Sequence, residues 1–257
     1  PEQSVASPNP VVATIAAPEV SAGNAAVTAR TAGRGGLVVS LAKMYFIGVG
    51  LVQQVALKAA LGLDGYGALS SVLAAASITY NPLVTASLQG VSHVVATREE
   101  NDAADGLRRV WPIHLAIALL VAGAFFALAP LVGRLTGAPH VVPGLRLLSF
   151  VMLTYGAYAP LVGALNGRAR FVRQAGLDVL AATLRTCGLI GGALWLGRAG
   201  FSGEWNGVEG AALGFVLSST LVLGIALYAV RLGARKSEGP HTRVYLGYLL
   251  PILLGQV

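Results

Sequence analysis

The 257-residue chain is short of charge and nearly devoid of cysteine, and each shortage excludes a class of protein. Asp, Glu, Lys and Arg make up only 11% of it, less than half of the roughly 25% carried by a soluble domain. Apolar residues reach 55% and mean hydropathy is +0.69, which leaves too little polar surface for a water-facing globule. The one cysteine, Cys187, rules out an intramolecular disulfide and gives no basis for a cysteine metal cluster. It lies in an apolar run and reads as packing. His93 and His114 are single histidines without Cys, Asp or Glu at ligand spacing, so no metal site is expected. There is no Gly-rich phosphate loop, no serine nucleophile motif and no pair of intramembrane carboxylates. No enzymatic chemistry, catalytic residue or cofactor is therefore expected. Lys and Arg outnumber acids 18 to 11, but they punctuate apolar segments instead of covering one surface, which argues against a nucleic-acid partner.

What the sequence does have is long apolar runs. A helix needs about 20 apolar residues to cross the hydrocarbon of a bilayer. Such runs lie near 37–61, 67–96, 110–132, 144–165, 177–197 and 211–231. They show no alternation of polarity, which excludes the roughly ten-residue strands of a membrane barrel. The expected fold class is all-α, a polytopic membrane bundle of about six transmembrane helices plus the start of a seventh. Residues 1–35, rich in Ala, Pro, Ser, Val and Gly, read as a disordered tail, because they cannot bury enough surface to offset their ordering entropy. They lack the basic region and apolar core of a signal peptide. Residues 36–232 form the expected bundle and 233–243 a loop. The segment 244–257 is expected to be the truncated start of a seventh helix, since its residues reach only ~21 Å.

Orientation follows from the basic residues. Arg30, Arg34, Arg98, Arg108, Arg109, Arg168, Arg170, Arg173, Arg231, Arg235, Lys236 and Arg243 fall on the side of the tail. Lys58, Arg134, Arg146 and Arg198 fall on the other. The N-terminus is expected in the cytoplasm. Trp111 and Trp195 sit at span edges, where tryptophan anchors at an interface.

Two cations remain inside spans. In the first, Ser40, Lys43, Ile47, Gly50, Gln54 and Lys58 fall within roughly 80° of one another on a helix. A lysine near the bilayer centre costs about 2.5–3.5 kcal/mol on insertion scales, so this stripe is expected to line a hydrated, cationic cavity. The alternative is that both lysines snorkel to the surfaces and only Gln54 packs. Arg185 lies well inside the fifth span among small and apolar residues, and is the best candidate for binding an anion. Gly188 and Gly192 form a small-xxx-small pair suited to close helix packing. Asp178, two turns before Arg185, is expected to complement the N-terminal end of its helix and Arg173. Asn81-Pro82 is expected to interrupt the second span, since proline removes a backbone hydrogen bond. Pro160 has the same standing in the fourth.

Three stretches carry a resemblance. The turn LGLDGYGALSSVLAAAS (61–77) is similar to the "LG…YG" turn joining the first two helices of polysaccharide flippases. NPLVTASLQGVSHVVATREE (81–100) and LVGALNGRARFVRQAGLDVLAATLRTCGLIGGAL (161–194) resemble the same family's second-helix end and fifth-helix passage. The family is the O-antigen type oligosaccharide flippases of the multidrug/oligosaccharidyl-lipid/polysaccharide exporter superfamily, which includes MATE exporters. The resemblance covers roughly residues 35–257 and implies two six-helix lobes about a central cavity, with this chain as the N-terminal lobe. It implies a partner lobe or second copy, surrounding membrane lipids, and a lipid-linked anionic glycan as substrate. In that family an undecaprenyl-pyrophosphate-linked glycan moves from the cytoplasmic to the outer leaflet of the inner membrane, with cations meeting the pyrophosphate. Lys43 and Arg185 match that role by location, and Gln54 and Lys58 complete the expected substrate-binding set. A MATE-type cation exporter and a non-transporting membrane scaffold stay open as alternatives.

Overall fold

The computed structural model describes residues 22–97, 100–198 and 206–230, together with Tyr245, Leu249 and Pro251. Five helices follow one another: α1 (Ala22–Ala96), α2 (Glu100–Leu135), α3 (Val142–Gly167), α4 (Phe171–Arg198) and α5 (Asn206–Val230). A single 3-10 turn, Pro139–Val141, enters α3. No strand occurs among the described residues.

All five helices carry a stretch long and apolar enough to cross a membrane, and that of α1, Gly36–Ala96, has 61 residues. Straight, it would measure ~90 Å, about three hydrocarbon thicknesses. It is broken at Gly62, where φ is 70° and ψ is −176°. Only glycine reaches that conformation without steric conflict, so the LGLDGYG turn makes α1 a hairpin of two arms. Lys43 and Asn81 lie nineteen residues before and after Gly62, and both line one cavity. The chain is thus a multi-pass membrane protein, with six membrane-length rods among the described residues, as the apolar runs predict.

Two expectations change. α1 begins at Ala22, well before the expected boundary at residue 36. Apolarity marks where a helix can enter a membrane, while the alanine-rich stretch after Ala22 has the propensity to continue the helix beyond it. Residues 1–21, the loop at 233–243 and most of 244–257 lie outside the described residues. Pro82 does not interrupt its span: Gly62 is the one non-helical residue inside α1. Pro160 is likewise accommodated within α3.

α3 is the central rod. Every residue from Gly156 to Leu165 is buried, consistent with a helix apolar all round. The first arm of α1 is its opposite: Leu37, Met44, Ile47, Leu51, Val52 and Val55 are all exposed. Two apolar clusters hold the bundle together. One joins Leu57, Leu69, Leu145, Met152, Leu189 and Phe215 near the Gly62 turn. The other joins Val91, Leu107, Leu161, Leu165, Leu177 and Val222 towards the far end, with Tyr245 and Leu249 packed into it. Tyr155 touches both clusters.

Between α4 and α5 the backbones nearly touch. A Cβ at Gly188 would fall on the carbonyl oxygen of Gly214, and one at Gly192 on that of Gly210. The expected Gly188/Gly192 contact is therefore real, and its partner is a second G-xxx-G pair on α5.

Candidate substrate site

A cavity of about 270 Å³ opens at the level between the two apolar clusters, where four rods meet. The first arm of α1 contributes Lys43 and Phe46, and the second arm Tyr80 and Asn81. α3 contributes Tyr155 and Tyr158, and α4 contributes Asp178, Ala182 and Arg185. On α4 the spacing of 178, 182 and 185 is the i, i+4, i+7 face of one helix, so a single stripe presents the acid, a small residue and the base. A second cavity of about 210 Å³ adjoins it, lined by Gly50, Gln53, Gln54, Thr186 and again Arg185. Arg185 borders both.

Side-chain hydrogen bonds set the register of α1 on α4 here. The Tyr45 and Thr183 hydroxyls pair at 2.9 Å, and Thr186 Oγ1 donates to Gln53 Oε1 at 3.2 Å. The Arg185 guanidinium lies 4.9 Å above the Phe215 ring, a cation–π contact. Its Nε is buried without a hydrogen-bond partner, and so is the Tyr158 hydroxyl. Tyr80 and Tyr155 stack at 5.8 Å, and Tyr155 meets Tyr158 edge-on at 6.1 Å. The floor is aromatic and the walls are charged.

Of the four residues expected from sequence, Lys43 and Arg185 share the main cavity, and Gln54 meets Arg185 in the adjoining one. Lys58 is exposed and lines neither. Asp178 departs from its expected place. It faces the cavity with Lys43 and Arg185 instead of serving only its own helix end. The helix phase puts it seven residues from Arg185 on the same stripe, and the first arm of α1 brings Lys43 to that stripe. Sequence reading missed the side chains of Tyr80, Tyr155, Tyr158 and Gln53. The signal was present in TYNP and TYGAY, where polar-tipped aromatics sit inside apolar runs.

His114 is not an edge histidine. It is fully buried, with Nδ1 2.8 Å from the Ser87 hydroxyl and Nε2 bonded to the Tyr245 hydroxyl. The Tyr245 ring stands edge-on to it at 5.6 Å. This triad ties α1, α2 and the segment after α5 together at the end of the bundle opposite Gly62.

Comparison with solved structures agrees on the fold of this membrane helix bundle. A MOP superfamily transporter from Pyrococcus furiosus, described as having a binding pocket of reverse polarity that suggests a different function, superposes with a TM-score of 0.69 at 17% identity. An outward-facing multidrug resistance MATE family transporter of the same superfamily matches with the same TM-score and identity. Each match covers 86% of this chain and 52% of the other, so the chain spans about half the length of these transporters. No curated protein matches it. A family model described as polysaccharide biosynthesis protein matches residues 41–233, three quarters of the chain. The chain belongs to this polysaccharide biosynthesis protein family.

Proposed function

We propose that the chain is the N-terminal lobe of a flippase. It moves undecaprenyl-pyrophosphate-linked oligosaccharide from the cytoplasmic to the outer leaflet of a bacterial inner membrane. It works by alternating access against a second lobe or a second copy, with its N-terminus in the cytoplasm. The observation that carries this reading is the cavity between α1 and α4, where Lys43 and Arg185 face one space. Each cation held inside a span costs about 2.5–3.5 kcal/mol on insertion scales. Asp178 offsets one of the two, which leaves the cavity with net positive charge. A pyrophosphate supplies the counter-charge that the cavity itself lacks. At ~4 Å and an effective dielectric of about 20, each close charge pair is worth ~4 kcal/mol before desolvation.

Glycan export in cells carrying the full-length protein tests this reading, with expression checked for each variant. Arg185→Gln is expected to lose most export, Arg185→Lys to keep part of it, and Lys43→Gln with Arg185→Gln to abolish it. Wild-type export from the well-expressed double variant overturns the proposal.

A MATE-type exporter of organic cations is the second reading, and Asp178 is the observation that favours it. Cells expressing the protein would then extrude a lipophilic cation such as ethidium in an Asp178-dependent way. On the flippase reading ethidium accumulation is unchanged.

A further inference from the structure

Two cations account for an anion, but they leave the rest of the cavity unexplained. Asp178 is a pure acceptor when ionised, and it lines the same space as Lys43 and Arg185. A bare anion seated between those cations would meet a like charge at close range. Tyr158 lines the cavity and is 7% exposed, and its buried hydroxyl has no hydrogen-bond partner. A buried polar group left unpaired costs free energy, so this site is built for something that is polar at both ends. Asn81 adds a side chain that both donates and accepts. The stacked Tyr80 and Tyr155 rings add a flat surface with polar tips.

We infer that the cavity has two subsites: Lys43 and Arg185 take the phosphate, while Asp178, with Asn81 and Tyr158, takes hydroxyl or amide donors of the sugar attached to it. The inference rests on the flippase reading and assigns Asp178 a specificity role within it. A sugar beside a phosphate is the ligand that turns Asp178 from a repulsive neighbour into a hydrogen-bond acceptor. Its apolar C–H face suits the tyrosine floor.

The test is binding of two short-chain probes to the purified full-length protein: farnesyl diphosphate, and farnesyl diphosphate capped with N-acetylglucosamine. A charge-assisted hydrogen bond from the sugar to Asp178 gives the capped probe an advantage of about tenfold in the wild type. Asp178→Ala is expected to cut that advantage to about twofold or less. Losing a negative charge beside the anion, the variant binds plain farnesyl diphosphate no more weakly than wild type, which also shows that it is folded. Lys43→Gln with Arg185→Gln is expected to lose both probes. A wild type without preference for the capped probe, or a preference that survives in Asp178→Ala, overturns the sugar subsite. Weaker binding of the plain probe by Asp178→Ala also overturns it, because the carboxylate would then serve the phosphate end. Undiminished binding of both probes by the double variant instead overturns the phosphate reading, and so separates the two failures.

Discussion

The two flanks of α4 are built on opposite principles. Toward α5, Gly188 and Gly192 bring backbone against backbone with no room for a methyl group. Toward α1, Ala182, Arg185 and Thr186 border open cavities bridged by a few hydrogen bonds. Lipid offers no hydrophobic drive for helices to associate, so close contact between small residues has to supply the attraction. A polar cavity cannot do this. The difference teaches that α4 is fixed on one side so that it can hold charge on the other.

Breaking the tight flank is expected to have the largest effect. Gly188→Leu with Gly192→Leu inserts two side chains where carbonyl oxygens of α5 lie, and overpacking costs about 1–3 kcal/mol or more at each site. Monodisperse protein after extraction in detergent should be lost. The open flank should behave otherwise: Ala181, a further lining residue on α4, brings a large ring to the cavity in Ala181→Phe. It should leave folded yield near wild type, while on the flippase reading glycan export falls sharply. Equal yields from the two variants would erase the distinction between the flanks.

Smaller effects sharpen the comparison. His114→Phe strands the hydroxyls of Ser87 and Tyr245, and each unsatisfied group costs about 1–3 kcal/mol. A lower melting temperature is expected. Thr186→Val removes one bond across the open flank. A double-mutant cycle with Gln53→Ala should return a coupling of about 0.6 kcal/mol, the average for membrane hydrogen bonds. Lys58→Gln should change neither export nor stability, since Lys58 is exposed and borders neither cavity.

The fold was legible because each apolar run has membrane length and because LGLDGYG supplies a glycine where the chain reverses. Lys43 and Arg185 were legible because a charge inside an apolar run needs a reason. Asp178 was not. Near the start of its helix it had a plausible local role, and only the packing of α1 on α4 shows which space it faces. The partners of His114 were hidden for a similar reason, since Tyr245 is 131 positions away in sequence. Local pattern reveals depth in the membrane. It does not reveal which helix stands opposite.

Gly62 also bears on how the chain enters the membrane. Lys43 and Asn81 are equally distant from it, so they arrive at the same depth as the hairpin inserts. The first arm, exposed along most of its length, would carry its lysine into lipid alone if it entered as a single helix. Delivered as half of a hairpin, it brings a polar neighbour with it, and the amide of Asn81 shares the lysine's transit before α4 is synthesised. A residue that could not adopt the Gly62 conformation is therefore expected to impair membrane insertion, read as a loss of folded yield.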